Sequence, residues 1–454
     1  MFASLRLRAG CAIGFERRRR EDWTVAAPHT SEGKVMKRKT KVLSVLIAGS
    51  VSLSVASVGA IYAASQPGQP LDAPALVKQG QQVFRYDTFG DEIKWTDQLR
   101  MHEVIRTQVS PITALAVGLK LDIEALPDSV QQGIVDGTID LGDPAVTVAL
   151  LKLNAVVGLK GTVENVDGVD TLTRVGTTCA LCHSTVDDSF APGIGHRRDG
   201  WPNLDLNPGA IIALSPALSD AQKAQANSWG AGKYDPRWNV DGLSNPVVIP
   251  PAYGLAGVNS VVFTGDGPNL SYWNRYVAVT QMGGEGVFSD PRVGTHLDPA
   301  TPGLSSDWRP GMVVANGTDD KVSGLLAALQ AYQLSLPAPR PPAASIDIAQ
   351  AQRGKTVFKT AGCASCHSGA HFTDANKRLH PPSASVATDT LYVTRSATGM
   401  YRTTPLRGLW QHAPYFHDGS AATLADVVDT YNTKQKLQLT ARQKGELVEY
   451  LKTL

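Results

Sequence analysis

The chain has 454 residues, 43 Lys and Arg against 41 Asp and Glu, a formal net charge of +2, and only five cysteines. That length allows two or three domains and a large core, and 42 glycines with 28 prolines put much of the chain in loops. The slight basicity comes from the first 64 residues; without them 32 basic and 37 acidic residues remain, a balance of −5 that excludes nucleic acid as a partner and suits a basic electron donor.

Met1–Val35 carries the run Arg17–Arg20 and the odd cysteine Cys11 with no periodic apolar pattern, and reads as an upstream extension outside the folded protein. From Met36 a basic head of Lys37, Arg38, Lys39 and Lys41 precedes the uncharged run Val42–Ala64. This is the layout of a secretory signal cut near Ala63 or Ala64, with a retained membrane anchor as the second reading. Both place the rest of the chain outside the cytoplasm, in the periplasm.

Ala75–Arg85, ALVKQGQQVFR, and Ala351–Lys359, AQRGKTVFK, share Gly, two residues, Val-Phe and a base, and so propose an internal repeat of one helix. Nine residues after Gly354 stands Cys363, whereas Gly80 and Cys179 are 99 apart, so residues 86–176 read as an insertion in the first copy. Within it Ala114–Leu126 and Ala145–Val157 are apolar enough for helices, and Gly133–Gly142 reads as turns. Such an insertion could roof the first site or be plain scaffold.

Each copy leads to the same pentapeptide: Cys179-Ala-Leu-Cys182-His183 and Cys363-Ala-Ser-Cys366-His367. C-x-x-C-H is the attachment signature of c-type haem; both sulfurs reach the two vinyl groups of one porphyrin, and the following imidazole binds the iron. A four-cysteine zinc site is the competing reading. It fails on the distance between the pairs and on the histidine after each. Two covalent haems c are therefore expected, on a mainly α fold of two cytochrome c-type domains, 65–335 and 346–454, with the long loop-rich insertion in the first. Ala191–Asn245 reads as a long ordered loop region and Leu336–Ala344, within a 336–345 linker, as a stiff proline-rich connection. Leu424–Tyr431 and Ala441–Leu451 read as closing helices.

Tyr401–Asn432, YRTTPLRGLWQHAPYFHDGSAATLADVVDTYN, resembles the C-terminal signature of the bacterial di-haem cytochrome c peroxidase and MauG family. In that family the axial ligand of the C-terminal haem stands fourteen residues after the histidine of the block, methionine in peroxidases and tyrosine in MauG-like enzymes; counting from His417 gives Tyr431, with Met400, His412 and His417 as alternatives. A phenolate would favour ferric and higher iron. The resemblance further implies a releasable distal histidine for the N-terminal haem, His196 after Gly195. It implies an electron-bridging tryptophan, Trp273, with Trp201, Trp229, Trp238 and Trp308 behind it. It also implies an acid/base pair on the following segment, Glu285 with Gln281, and a calcium ion held by Asn245 and the carbonyls around His412 and Pro414.

The expected mechanism stores an electron equivalent at the C-terminal haem, passes it through Trp273, and reduces peroxide at an N-terminal haem uncovered when His196 leaves. A soluble cytochrome c or a cupredoxin would be the donor, and a homodimer stays open. Two other functions compete: a non-catalytic electron-transfer cytochrome, and an oxygenase on an organic substrate, similar to the rubber oxygenases.

Overall fold

The structure is a computed structural model, described over residues 73–296, 308–309, 311–386 and 391–454. The expected extension and signal, 1–64, lie outside the described residues, as does the side chain of Trp308. None of the described helices is long and apolar enough to cross a membrane.

Six helices frame the molecule. α1 (Ala73–Tyr86) buries Gly80, Val83 and Phe84 on one face and ends on Arg85, a cation at the negative end of the helix. α2 (Leu270–Tyr276) starts where the Asn269 side chain accepts from the Tyr272 N–H. α3 (Leu326–Ser335) buries Ala328, Leu329 and Tyr332. α4 (Ile348–Thr360) is capped by Asp347, and α5 (Leu424–Lys434) and α6 (Ala441–Lys452) each begin with a capping box, Thr423 with Asp426 and Thr440 with Gln443. The helices read from sequence at 75–85, 351–359, 424–431 and 441–451 are thus present and slightly longer. Among the described residues the strands form only two-stranded ribbons.

The repeat read from Gly-x-x-Val-Phe is a repeat of packing. α1 crosses α3 so closely that a Cβ on Gly80 would lie 1.9 Å from the Ala328 carbonyl oxygen and 2.7 Å from Tyr332 Cβ. α4 crosses α6 in the same way, with the Glu446 oxygen 1.8 Å and Tyr450 Cβ 2.9 Å from the corresponding point on Gly354. In both crossings the Val-Phe phenylalanine meets the tyrosine edge-on, Phe84 on Tyr332 at 5.5 Å and Phe358 on Tyr450 at 5.4 Å.

A second stretch repeats without a shared motif. Val261 bridges Gly267 as Tyr415 bridges Ala421. Val262 (φ 63°) and Phe416 (φ 66°) are both left-handed, and so are Gly265 (φ 65°) and Gly419 (φ 72°). Each turn then feeds a capped helix, Asn269 into α2 and Thr423 into α5, with one constant offset throughout. In this register the counterpart of His417 is Phe263, and that of Tyr431 is Val277.

The insertion builds its own core. Short helices at Met101–Gln108, Pro111–Ala116, Asp128–Val135 and Pro144–Lys152 pack with a hairpin, Leu159–Val166 against Val169–Thr177, around Val104, Leu150, Leu151 and Leu172. The helix expected over 114–126 stops at Ala116 because Gly118 turns to φ 85°. The one expected over 145–157 ends at Lys152, before Asn154 at φ 55°. The hairpin, unforeseen in the sequence, runs straight into Cys179, and the Thr178 N–H donates to the Gly158 carbonyl at 2.9 Å. The insertion is thus built onto the first haem motif. The region 191–245 holds short helices at Pro208–Ala213, Asp220–Asn227 and Trp238–Asp241 among its loops.

The two halves do not separate as independent bodies; residues 71–454 form one compact unit. The proline-rich stretch is pinned along its first half, the Leu336 carbonyl accepting from the Gly254 N–H at 2.8 Å and the Pro339 carbonyl from Trp410 Nε1 at 3.1 Å. It is a fixed connection rather than a free spacer.

Candidate functional site

His183 ends a single helical turn, Ala180–His183, and its Nδ1 faces the Pro250 carbonyl at 3.1 Å; His367 follows the turn Cys363–Ser365, and its Nδ1 faces the Phe372 carbonyl at 3.1 Å. A carbonyl can only accept, so Nδ1 carries the proton and Nε2 is left as the metal-binding nitrogen in both. Burial pushes His183 down to about 4 and lowers His367 as well, which keeps both rings neutral, the form that ligates iron. Burial likewise pushes the Cys179 and Cys182 thiols up to about 12, and none of the four motif cysteines is in a disulfide.

Beside the second motif is a cavity of about 490 Å³. Cys363, Cys366 and His367 line it, with Leu424, Val428 and Tyr431 of α5 opposite. Arg402 reaches into it with its Nη1 on the Ser260 carbonyl at 3.1 Å, its Nε buried and unpartnered, and no carboxylate beside it among the described residues. Burial alone lowers its pKa, to about 10. A guanidinium placed so needs an anion, and the propionate of a haem supplies one. The cysteine pair, the oriented imidazole, the apolar walls and this orphaned cation fit haem c.

Tyr431, His412 and His417, the expected candidate ligands, all line the cavity, as does His380, which is held by Asp374 at 3.1 Å. His417 is held in place, stacked on Tyr392 at 5.2 Å with its Nε2 3.5 Å from the Tyr401 hydroxyl. His412 packs against Tyr415 at 5.5 Å. Tyr431 stands on α5 within electrostatic reach of both motif thiols, and its hydroxyl is pushed up to about 12, chiefly by burial. Met400 is 37% exposed, a surface position.

The two motifs share a wall. Pro250, which orients His183, belongs to a segment whose Val248, Ile249, Pro251 and Tyr253 line the cavity beside His367.

Parts of the chain are similar to known proteins. Residues 399–437 match the family described as RoxA-like, cytochrome c-like. Over 124 residues the chain is 32% identical to the methylamine utilization protein MauG of Methylorubrum extorquens, covering 23% of this chain and 35% of that protein. Over these stretches the chain resembles MauG-like and RoxA-like c-type cytochromes. It spans about a third of the length of that curated MauG relative. Two solved structures share a local piece: hydrazine synthase of Kuenenia stuttgartiensis (24% identity, 29% of this chain and 55% of that one, TM-score 0.22), and a MauG-like protein associated with microbial copper homeostasis (25% identity, 29% and 56%, TM-score 0.23).

Several expected site residues stand elsewhere than foreseen. His196 is 55% exposed, beside Ser189 at 3.0 Å and Asp187 at 3.4 Å on the outer end of a short ribbon, so it is a surface histidine and not a roof over the first site. Glu285 is buried but committed, its carboxylate on Lys321 and wedged against Gly90 and Gly317; it is a clamp between loops rather than a proton donor facing a cavity. The Gln281 carbonyl is engaged by Lys94 and Asn239. Trp273 lies on α2, its ring 4.6 Å from Tyr276, at the place Val427 holds beside the C-terminal cavity. It therefore belongs to the wall of the first site. The aromatic contacts between the halves are instead Trp201 on Trp410 at 5.8 Å and Phe263 on His417 at 6.2 Å. Trp229 and Trp238 pack on each other in the N-terminal core.

Asn245 gives no reason for calcium. The acids around it, Asp235 and Asp241, are neutralised by Arg395 at 3.0 and 2.7 Å, and the Asn245 N–H itself donates to Asp235 at 2.5 Å.

Proposed function

We propose that this protein is a periplasmic haem oxidoreductase in which the C-terminal site is closed by Tyr431 and the N-terminal site is left open to a small oxidant such as peroxide. The observation that carries this reading is the internal repeat: where α5 presents Tyr431, the helix that begins as α2 presents Val277. An alkyl side chain cannot ligate iron. Val277, Trp273 and Cys179 pack against one buried cluster, which puts the valine in the same core as the first attachment site.

When bound, haem supplies electron transfer where both its faces are ligated and peroxide or oxygen activation where one is open. The protein's own contribution is orientation and exclusion. Pro250 and Phe372 fix the tautomers of His183 and His367. Arg402 would balance a propionate, and burial raises the Tyr431 hydroxyl to about 12, which holds the phenol protonated at neutral pH. The wall at Val248–Tyr253 touches both sites, Pro250 accepting from His183 and lining the cavity that holds His367, and would be the route for an electron between them.

The donor side follows from charge. Residues 346–454 hold 13 basic against 8 acidic side chains, while residues 65–345 hold 19 against 29. A small redox protein with an acidic face suits the C-terminal half, the reverse of the partner that the net charge alone suggested.

A second reading, an oxygenase acting on an organic substrate, is favoured by the RoxA-like match over 399–437. Absorption and EPR spectra of the purified protein through a redox titration, with cyanide added, test both. A high-spin haem that binds cyanide beside a low-spin haem that does not supports the proposal; two low-spin haems that refuse cyanide at every potential would sink it. Oxygen uptake with an organic substrate and no peroxide selects the second reading.

A further inference from the structure

π-Helical turns make up well under one per cent of residues and cluster at functional sites. Here two of them, Ile93–Gln98 in the insertion and Val277–Met282 after α2, are docked directly on each other. The Lys94 ammonium donates to the Gln281 carbonyl at 2.9 Å, and Trp95 Nε1 donates to the Met282 carbonyl at 3.0 Å. The Lys94 stem fills the space beside Gly283, where an added Cβ would lie 2.5 Å from Lys94 Cδ. Asn239 adds a third donor, its Nδ2 reaching the Thr280 and Gln281 carbonyls at 3.2 and 3.3 Å and the Tyr234 hydroxyl at 3.2 Å. A π-turn leaves its carbonyls poorly satisfied within the helix, and these side chains supply the missing donors.

The turn held in this way begins with Val277, the residue that replaces Tyr431 at the first site. Groups on both sides of the clamp reach that site: Asp91 lies within electrostatic range of Cys179, and Tyr234 within range of Cys182. We propose that the insertion supplies a cationic clamp on the distal wall of the N-terminal haem site, in which Lys94 is the positioning residue that holds the 277–282 turn and favours small anionic ligands such as hydroperoxide or azide at that haem. This rests on the reading that the N-terminal site is the open one.

The charges around Lys94 are few. Asp91 faces it from its own segment, with Glu92 next to it; the 277–283 turn brings no titratable side chain; and Glu285, beyond the turn, is taken by Lys321. Burial pushes Lys94 down to about 8, so below pH 8 the lysine carries its charge, and burial raises Asp91 against the hydrogen bonds it accepts from Thr177.

The test is ligand titration of the purified holoprotein, followed by the absorption and EPR of the N-terminal haem, with azide as the anion and imidazole as a neutral control. Azide affinity should fall several-fold as the pH rises from 7 to 9, a step absent in Lys94→Met, whose affinity at pH 7 should be about tenfold weaker. Lys94→Arg should keep the affinity at pH 7 and lose the step, and imidazole should bind all three alike. Wild-type azide affinity and pH dependence in Lys94→Met would overturn the proposal. If the N-terminal haem of the wild type binds no added ligand in any oxidation state, the open-site reading itself fails. The clamp is then judged by amide hydrogen exchange, which should be faster over residues 277–284 in Lys94→Met; unchanged exchange there would overturn it separately.

Discussion

The two halves of this molecule carry the same scaffold and close it differently. In both, a glycine lets two helices cross at main-chain contact, a phenylalanine and a tyrosine meet edge-on beside it, and a left-handed turn feeds a capped helix toward the haem motif. In the C-terminal half that helix delivers Tyr431; in the N-terminal half it delivers Val277 and then widens into a π-turn held by an insertion the other half lacks. The lesson is that scaffold and reactivity are coded by different residues. The positions that make each half fold are shared, and the residue at the place of Tyr431 is not, since the N-terminal half has Val277 there.

The comparison breaks most completely at the motifs. Replacing Cys179 and Cys182 by serine, or Cys363 and Cys366, should each remove one covalent haem, halving the pyridine haemochrome and lowering the protein mass by one haem. If either double variant kept its full haem content, the equivalence of the two halves would be lost.

Next in size are the helix crossings. Gly354→Val would drive a side chain into the Glu446 carbonyl, and Gly80→Val into that of Ala328. Each should cost on the order of 3 kcal/mol or more, since neither helix can yield without unpacking its Phe–Tyr contact. Thermal unfolding of the holoprotein checks this. A large loss in one variant with none in the other would mean that the two crossings are not equivalent.

A comparable effect is expected from pH. Burial pushes His412 down to about 4 from the usual 6.5. Below pH 6.5 the unfolded chain binds a proton that the folded site refuses, so this contribution is complete above 6.5 and declines as the pH falls toward 4, by up to about 3 kcal/mol. Denaturant unfolding from pH 7 to pH 4 should show that loss in the wild type, and His412→Gln should flatten it.

Ligation is the sharpest point of difference and the one least tied to stability. Tyr431→Phe should leave the fold within about 1 kcal/mol of the wild type, since a phenyl ring keeps the packing. It should also make the C-terminal haem bind cyanide. Val277→His should do the opposite at the N-terminal haem, turning it low-spin and unreactive to cyanide. An unchanged C-terminal spectrum in Tyr431→Phe would move the ligand to His412 or His417.

How far these features were legible in the sequence depends on whether chemistry or geometry fixed them. Both C-x-x-C-H motifs are legible because haem attachment tolerates no other spacing, and Gly80 and Gly354 because the crossings admit no side chain. The place of Tyr431 on the cavity wall is legible by counting along one helix from His417. The equivalence of 261–270 with 415–424 is not. It rests on backbone angles that Val262 and Phe416 adopt alike, and on caps, Asn269 and Thr423, that are interchangeable physically but different as letters. That hidden register is why Trp273 read as a bridge when it holds the place of Val427. His196 and Glu285 were misplaced for a related reason: a Gly-His pair and a loop carboxylate carry no signal for direction, and only the folded chain shows one turned to Asp187 and the other to Lys321.

The smallest expected effect follows from that last placement. If Glu285 were the acid/base of peroxide cleavage, Glu285→Gln should lower turnover by the hundredfold or more that general acid–base catalysis is worth. As a clamp it should cost only the ion pair with Lys321, whose side chain is 49% exposed, at most about 1 kcal/mol, and leave turnover within a few-fold of the wild type. Steady-state peroxide reduction at saturating donor separates the two outcomes. A hundredfold loss with normal haem spectra would return Glu285 to the reacting site and require the 283–285 loop to turn inward, which its hydrogen bonds from Glu285 N–H to the Phe89 carbonyl and from Lys321 N–H to the Glu285 carbonyl, at 2.8 and 3.0 Å, now oppose.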